Sequence, residues 1–285
     1  MRSPSNKYQI LVSYALWNNK ALEYQIIKDK DIDLFLDSGA FTNYNTGKEK
    51  VKLDDYIHFI KEHKQIVWNY INLDVIGDEK QSEHNYQIMK NAGLNPIPVF
   101  TRMNITPKKR AEILTDMCNK NPFIALGGVA GMNTKKGFEY LKNVCHFIKR
   151  NTKTKFHILG CGSLSIAQQI KPYSMDSSTS SLMASFGEIG LFDKNKCGVL
   201  RIGRKTKKSI LIKNAKLIKK YGLNPKILAS DLFWNTANND FRACLNLYSY
   251  FKMQQFLKRH NVTHFQALTI PHLKLWDQMV EYYNV

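Results

Sequence analysis

The stretch Leu34-Phe35-Leu36-Asp37-Ser38-Gly39-Ala40-Phe41 decides how the rest of the chain is interpreted. Three apolar residues predict a buried strand that ends at a carboxylate, and a Ser-Gly-Ala turn with an aromatic residue follows it. The same construction, a short apolar run that ends in Asp or Gly, recurs downstream. These further runs are residues 70–74, 124–128, 157–160 and 173–176.

Helix-patterned sequence separates these runs, and the alternation predicts an α/β fold with a parallel sheet. We expect a TIM (β/α)8 barrel, in which the carboxyl ends of the strands form the active-site face. On that face Asp37, Asp74 and Asp176 would converge on one pocket. The predicted strands are residues 8–15, 34–37, 68–74, 95–100, 123–126, 155–159, 173–176 and 198–202.

The helices between the strands follow from apolar spacing and from capping residues. Pro107 after Thr106 predicts a helix start, and Ser163 predicts the N-cap of a short helix. Residues 177–193 have no clear helical stripe, so the last crossover is expected to be irregular. The further predicted helices are residues 20–30, 53–63, 79–92, 134–150 and 241–259.

The composition becomes strongly basic after residue 200. We expect the barrel to occupy residues 1–203 and a basic, mostly helical segment, packed on the barrel, to occupy residues 204–285. Nine Lys or Arg and no acidic residue lie between Arg201 and Lys220. These charges repel one another, and phosphates would relieve the repulsion, although a solvated helix face is the alternative. The residues predicted to contact phosphates are Arg201, Arg204, Lys205, Lys207 and Lys208.

The whole chain carries 42 Lys and Arg against 23 Asp and Glu, a net charge of +19 at pH 7 over 285 residues. A field of this size favours a polyanionic partner, and nucleic acid is the first candidate. No apolar run is long enough to span a bilayer and no signal peptide is recognised, so we expect a cytoplasmic protein without a membrane partner. The 5 cysteines lack metal-ligand spacing, which predicts reduced thiols and no metal site.

The strand-end carboxylates each allow a structural and a functional interpretation. Any of them could simply cap the turn that follows. Beside Asp37, Gly39 would let a ligand approach the backbone, and Phe41 offers a ring on which a planar base can stack. Asp74 could accept hydrogen bonds from a donor pair such as the guanine edge. Asp176, which hydroxyl residues follow, could be a nucleophile that forms a glycosyl ester.

Together these motifs resemble the tRNA-guanine transglycosylase superfamily. The pattern of that family runs Asp-Ser-Gly-Gly-aromatic, a second Asp at a strand end, a Gly-Gly-Leu-type turn, a Gly-x-Gly turn and a late Asp. The matching segments are Asp37-Ser38-Gly39-Ala40-Phe41, Leu73-Asp74, Leu126-Gly127-Gly128-Val129, Leu159-Gly160-Cys161-Gly162 and Met175-Asp176.

The resemblance implies a TIM barrel that exchanges a base at a glycosidic bond. In this chain we expect the exchange to need no redox cofactor and no metal. It implies that Asp176 is the nucleophile on the anomeric carbon and that Asp37 is the general acid/base. It also implies a base-binding pocket in which Asp74 reads the base and Phe41 stacks on it. The residues of this pocket would be Ser38, Gly39, Phe41, Asp74, Gly127, Gly128 and Val129.

The zinc module of the tRNA enzymes, Cys-x-Cys-x-x-Cys followed by His, has no counterpart in this sequence, and Phe100-Thr101-Arg102 stands where they carry a base-reading Gln. The chain therefore looks most like relatives, many of them virus-encoded, that insert 7-deazaguanine bases into DNA. We expect a DNA guanine transglycosylase with DNA and a free 7-deazaguanine base as partners, in the host cytoplasm if it is virus-encoded. The alternatives are the same exchange on tRNA, a barrel that binds phosphate or FMN through its glycine-rich turns, and a non-catalytic nucleic-acid-binding protein.

Overall fold

A computed structural model describes residues 8–16, 32–41, 44, 51–101, 105–128, 135–268 and 270–283. Most of the predicted strands are present within one or two residues of their expected ends, because each is a short apolar run. The strands are β1 (Tyr8–Ser13), β2 (Ile32–Asp37), β3 (Val67–Tyr70), β4 (Val99–Phe100), β5 (Phe123–Leu126), β6 (Lys155–Ile158), β7 (Ser174–Ser177), β8 (Ile189–Asp193), β9 (Gly198–Ile202) and β10 (Thr263–Leu268).

The helices begin where the capping residues predict. Thr106 Oγ1 accepts a hydrogen bond from Lys109 N at 3.3 Å, and Ser163 Oγ accepts one from Ile166 N at 3.4 Å. The predicted helix over residues 20–30 lies outside the described residues. No helix in the described parts of the chain is long and apolar enough to cross a bilayer. The helices are α1 (Leu53–His63), α2 (Glu79–Asn91), α3 (Pro107–Lys120), α4 (Lys135–Asn151), α5 (Leu164–Ile170), α6 (Thr179–Ser185), α7 (Lys208–Lys213), α8 (Ala215–Lys220), α9 (Pro225–Leu228), α10 (Asn239–Lys258) and α11 (Ile270–Tyr283).

Eight strands form one parallel sheet in the order β3-β2-β1-β10-β7-β6-β5-β4, which confirms the α/β class. The predicted eighth strand, residues 198–202, is wrong: β9 pairs antiparallel with β8 in a separate hairpin. Four residues join β8 to β9, too few for the crossover that a parallel neighbour requires. The eighth strand of the sheet is β10, which pairs with β1 and β7.

The chain divides into two compact units. The first, called here the sheet unit, comprises residues 1–177 and 260–269, and the second, the hairpin unit, comprises residues 178–259 and 270–285. The boundary expected after residue 203 does not coincide with this division. The reason is that β10 returns to the sheet from late in the chain, while residues 178–203 belong with the helices that follow them.

The sheet is strongly curled. Phe35 on β2 and His157 on β6 have ring centroids 4.7 Å apart, although four strand spacings separate these strands in the sheet order. In a flat sheet the same separation would be about 19 Å. Phe35 also packs edge-on against Trp68 and Phe265, at 5.4 and 5.3 Å. The inner face of the sheet therefore closes around an aromatic core.

The two edge strands of the sheet meet at one point. A parallel bridge joins Ile71, just after β3, to Ile97, just before β4. Asn72 N donates to Ile97 O and Ile97 N donates to Tyr70 O, both at 2.9 Å. Among the described residues the pairing between these edges is limited to this bridge. The fold is thus a curled, barrel-like parallel sheet. When this bridge is counted, the strands follow one another around the sheet in chain order, with β10 between β7 and β1.

In the hairpin unit, helix α10 covers the free edge of β8. Asn246 Oδ1 accepts from Gly190 N at 2.8 Å, and Asn246 Nδ2 donates to Glu188 O at 3.0 Å. Ser249 Oγ accepts from Phe192 N at 2.7 Å. These side chains supply partners that a third strand would otherwise supply along this edge.

Residues 177–193 differ from the irregular crossover that was predicted, because they contain α6 and β8. Helix α6 lacks a simple apolar stripe: Met183 and Ala184 are buried, whereas Leu182 between Ser181 and Met183 is 49% exposed. The helix is short and has a serine-rich first turn, so the spacing of apolar residues carried no clear helical signal. The prediction of a helix over residues 241–259 is confirmed by α10.

Candidate active site

Asp37 ends β2, and the turn that follows fixes its carboxylate. Gly39 N donates to Asp37 Oδ2 at 3.0 Å. Gly39 has φ +87°, and a Cβ at this position would overlap the side chain of Ala15. Glycine is therefore required both by the left-handed backbone and by close packing. This packing accounts for Gly39 without any ligand.

The carboxyl group of Asp37 has an unusual proton affinity. Burial, and then the negative charges of Asp74 and Asp176, raise the pKa of Asp37 from 3.8 to about 7, while the N–H groups of Gly39 and Ser38 lower it. The structure thus brings the three predicted carboxylates into one electrostatic cluster at the carboxyl edge of the sheet. We call Asp37, Asp74 and Asp176 the carboxylate cluster.

Asp74 lies four residues after the end of β3, in a segment that helix α2 holds in place. Asn85 Nδ2, from α2, donates to Leu73 O at 2.8 Å. Ser38 Oγ donates to Asp74 Oδ1 at 3.3 Å, so the motif residue next to Asp37 orients the second carboxylate. Burial raises the pKa of Asp74 to about 6, and the hydrogen bond from Ser38 opposes this rise.

Asp176 lies on β7 and is only 4% exposed. Its Oδ1 accepts hydrogen bonds from Gly160 N at 2.9 Å and from His157 Nε2 at 3.0 Å. In a neutral imidazole with Nε2 as the donor, Nδ1 is the acceptor, and Ser174 Oγ donates to it at 2.8 Å. Asp176 Oδ2 accepts no hydrogen bond from the residues that the structure describes. Asp176 is therefore anchored through one of its two oxygens.

The sequence interpretation missed Tyr56, which helix α1 places beside the cluster. Tyr56 is fully buried, and its hydroxyl donates to Ile71 O at 2.9 Å. Burial, and then the charges of Asp37 and Asp74, raise the pKa of Tyr56 well above its usual value. The phenol thus stays protonated and contributes a fixed dipole near the two carboxylates. Its sequence position on an apolar helix face gave only the signal of a core residue.

Two histidines were also missed: His157 stands in a strand that otherwise looks apolar, and His264 stands in β10, which the sequence did not predict. His157 anchors Asp176 from β6, and His264 on β10 is 1% exposed. Neither ring nitrogen of His264 has a hydrogen-bond partner among the described residues. Burial lowers the pKa of His264 to about 4, against an opposing effect of the Asp176 charge, and the neighbouring His157 lowers it further. His264 is therefore neutral near pH 7.

In the predicted base-reading turn after β5, the first glycine packs against the neighbouring strand β4. Gly127 N donates to Phe100 O at 2.9 Å, and a Cβ on Gly127 would approach Val99 Cγ1 to 3.0 Å. Close packing therefore explains this glycine. Gly128 is exposed and has φ +71°. Val129 lies outside the described residues.

Aromatic side chains just beyond the Asp37 turn are exposed. Phe41 has 55% and Tyr44 has 68% of its surface accessible. Single exposed rings are common on protein surfaces, so the exposure establishes only that these rings lie outside the core. Phe41 is thus free of the core and accessible for stacking.

No model of a known protein family matches the chain, and no curated protein matches it either.

The basic residues predicted to contact phosphates lie in the hairpin unit and are exposed. Two of them are neutralised by acids: Arg201 Nε donates to Glu188 Oε2 at 3.1 Å, and Arg204 Nε donates to Asp231 Oδ1 at 2.8 Å. The expectation that these charges lack ion-pair partners is wrong for both arginines, because the acids come from outside the basic segment. The residues of the set without an ion pair among the described residues are Lys205, Lys207 and Lys208.

All five cysteines are free thiols and four of them are buried. Burial raises the pKa of Cys145 and so keeps this thiol protonated near neutral pH. Within the described residues no group of three or more His, Cys, Asp or Glu side chains is arranged to hold a metal ion.

Proposed function

We propose that this protein is a DNA guanine transglycosylase, which exchanges guanine in DNA for a 7-deazaguanine base through an ester between Asp176 and the sugar. With it we propose that the curled sheet is a closed (β/α)8 barrel. The bridge between Ile71 and Ile97 supports closure. The carboxyl edge of such a barrel is where catalytic side chains of this fold gather.

The observation that carries the proposal is the contrast between two carboxyl groups in one cluster. Asp176 is oriented by two hydrogen bonds on one oxygen. Asp37 has a pKa raised to about 7 by burial and by its acidic neighbours. An oriented carboxylate beside a carboxyl group that gains and loses its proton near neutral pH is the pairing that double displacement at a sugar requires.

In the first step Asp176 Oδ2 attacks C1′ of the target nucleotide. The bond from C1′ to N9 of guanine breaks, and its electron pair leaves with the base. Asp37 gives its proton to the departing guanine as general acid. The products are free guanine and an ester between Asp176 and the sugar. His157 and Gly160 hold Oδ1, so that Oδ2 meets the sugar in one orientation.

In the second step N9 of a 7-deazaguanine base attacks the same carbon. The ester bond breaks, and its electron pair returns to Asp176. Asp37, now ionised, takes the proton from N9 and regains its starting state. Two displacements at one carbon retain the configuration of the sugar. The target nucleotide has to leave the duplex stack for this chemistry, because its C1′ is otherwise shielded.

Asp74 and Phe41 serve recognition in this mechanism. The carboxylate of Asp74 accepts hydrogen bonds from the N1–H and the 2-amino group of guanine, a donor pair that the 7-deazaguanines share. Ser38 fixes the orientation of Asp74. The exposed ring of Phe41 stacks on the base, and Lys205, Lys207 and Lys208 contact phosphates of the DNA.

A base-exchange assay tests the proposal. Duplex DNA, single-stranded DNA and tRNA, each carrying labelled guanine, are incubated with the protein and a 7-deazaguanine base, and released guanine is counted. Nucleoside mass spectrometry of the recovered polymer identifies the inserted base. We expect release and insertion with DNA, and none with Asp176→Asn.

Exchange on tRNA alone would replace the proposal by the tRNA reaction. Binding to DNA without exchange on any polymer would favour a non-catalytic nucleic-acid-binding protein. Each step replaces one bond at C1′ by another, so the assay needs only the protein, the polymer and the incoming base.

A further inference from the structure

The hairpin unit contains a cavity of about 600 Å³ between β8, α8 and α10. This volume lies in the range of ordinary ligand sites. Seven basic side chains contribute to its lining, and no residue of the carboxylate cluster does. We call it the basic cavity, and its cations are Lys194, Lys196, Lys213, Lys216, Lys220, Lys252 and Arg259.

Most of this positive charge is not neutralised by the protein. Lys213, Lys216, Lys220 and Arg259 are exposed and form no ion pair with the described residues. Lys216 and Lys220 lie four residues apart on α8, so they occupy neighbouring positions on one helix face and repel each other. A bound anion would remove this repulsion.

The one acidic residue in the lining is already engaged. Asp193 Oδ1 accepts from Asn195 N at 3.0 Å, and Asp193 Oδ2 lies 4.0 Å from Lys196 Nζ. Lys196 Nζ also donates to Asn214 Oδ1 at 3.1 Å. Asp193 therefore shapes the rim and offsets a single lysine, which leaves the cavity strongly positive.

The floor of the cavity is aromatic. The hydroxyl of Tyr221 donates to Phe192 O at 2.8 Å, which ties the segment after α8 to β8. Phe256 from α10 packs against Phe192 with ring centroids 5.4 Å apart, and it is only half-buried. Lys252 Nζ lies 4.5 Å from the ring centre of Tyr248, a distance at which a cation is attracted to a ring face. Cations thus surround a partly exposed aromatic ring.

We propose that the basic cavity binds single-stranded nucleic acid, with phosphates of one strand on its lysines and a base on Phe256. Cations that track a backbone beside an aromatic platform are the features by which proteins hold single strands without reading sequence. The proposal goes beyond base exchange and does not depend on it, because it concerns a set of residues in the other unit.

The test is fluorescence anisotropy with labelled oligothymidylate at several salt concentrations. The cavity variant carries Lys213→Gln, Lys216→Gln and Lys220→Gln. A matched control carries Lys61→Gln, Lys64→Gln and Lys80→Gln, three exposed lysines of the sheet unit. Each phosphate contact to a single strand contributes about −0.7 to the slope of log K against log salt, so we expect the cavity variant to flatten the slope by about 2. The control should keep the slope of the unaltered protein.

A third variant, Phe256→Leu, separates stacking from charge: we expect weaker binding with an unchanged salt slope. Equal losses of affinity for oligothymidylate in the cavity variant and the control would overturn the proposal. They would show that the net positive charge of the protein, and not a specific site, attracts the oligonucleotide. Unchanged affinity of Phe256→Leu would overturn the assignment to a single strand. Binding of a mononucleotide but not of the oligonucleotide would do the same. Asp176→Asn should bind oligothymidylate normally, so a failure of the proposed chemistry and a failure of this site remain distinguishable.

Discussion

The carboxylate cluster of the sheet unit and the basic cavity of the hairpin unit both gather charges of one sign, but they differ in burial. In the carboxylate cluster, burial raises the pKa of Asp37 to about 7 and that of Asp74 to about 6, so protons reduce the repulsion. In the basic cavity most of the lysines are exposed, and water and salt screen them. Burial makes the first region suited to proton transfer, and exposure makes the second suited to binding polyanions.

The contrast is sharpest for Asp176, whose loss should stop the chemistry and spare binding. We expect Asp176→Asn to lower base exchange by at least about a thousandfold, because the substituted amide cannot form the ester. Anisotropy with oligothymidylate should give an unchanged affinity. A variant that keeps its exchange rate would remove Asp176 from the nucleophile role.

Asp37 tests whether burial sets the protonation of the cluster. Its pKa is raised in the folded protein, so the folded state binds the proton more tightly than the unfolded chain. The stability that this proton contributes is complete below about pH 4 and is lost as the pH rises to about 7. Asp37→Asn removes the group that loses this proton. We therefore expect the effect of Asp37→Asn on the free energy of unfolding to be about 2–4 kcal/mol more stabilising above pH 7 than at pH 4.

Urea unfolding at the two pH values measures this difference. Glu139→Gln, which alters an exposed carboxylate within α4 and outside the cluster, is the matched control. A pH-independent effect of Asp37→Asn would contradict the account of a buried, protonated carboxyl group.

His157 tests whether the anchor on Asp176 matters. We expect His157→Leu to slow base exchange by about 10- to 100-fold, the effect of one lost hydrogen bond to a charged group. His157→Gln retains an amide donor and should recover part of the rate. If both variants lose activity in proportion to their loss of folded protein, His157 serves only packing.

Asp74 tests recognition within the same cluster. Asp74→Ala should reduce discrimination against base analogues that lack the exocyclic amine by about 1–3 kcal/mol, the value of one bidentate contact. Competition by such analogues during exchange measures it. If the wild type and the variant rank the analogues identically, Asp74 has no part in recognising the base.

The smallest effect is expected from the paired arginines. Arg201→Gln with Arg204→Gln should change the salt slope of duplex DNA binding less than Lys205→Gln with Lys207→Gln, which we expect to flatten it by about 1.8. The arginines already have acidic partners, and exposed ion pairs leave little net charge to attract phosphate. The reverse ranking would show that DNA displaces Glu188 and Asp231.

The sequence predicted those parts of the fold whose signal is local. Helix α1 was predicted over the residues it occupies, because Leu53, Tyr56, Ile57 and Ile60 form one apolar face. Strand β10 was missed because His264 and Gln266 alternate with apolar residues, whereas strands of a parallel sheet usually read as continuous apolar runs. These polar residues are buried in the sheet unit, and burial of polar side chains is not a feature that an apolar pattern can predict.

The candidate site was likewise predicted only in part. The convergence of Asp37, Asp74 and Asp176 could be predicted, because parallel strands bring their carboxyl ends to one edge. The partners of these carboxylates could not, since Tyr56 and His157 look like core residues in a single sequence. Nor could the acids that neutralise Arg201 and Arg204, because Glu188 and Asp231 lie far from them along the chain or across a hairpin.

The most direct test of the central claim is to trap the covalent intermediate. The protein is mixed with DNA in the absence of an incoming base and quenched in denaturant, and the adduct is digested and mapped by mass spectrometry. We predict an adduct that survives denaturation, with the sugar on the peptide that contains Asp176, and none with Asp176→Asn. An adduct on Asp37 or Asp74, or base exchange that proceeds without any adduct, would contradict the assignment of Asp176 as the nucleophile.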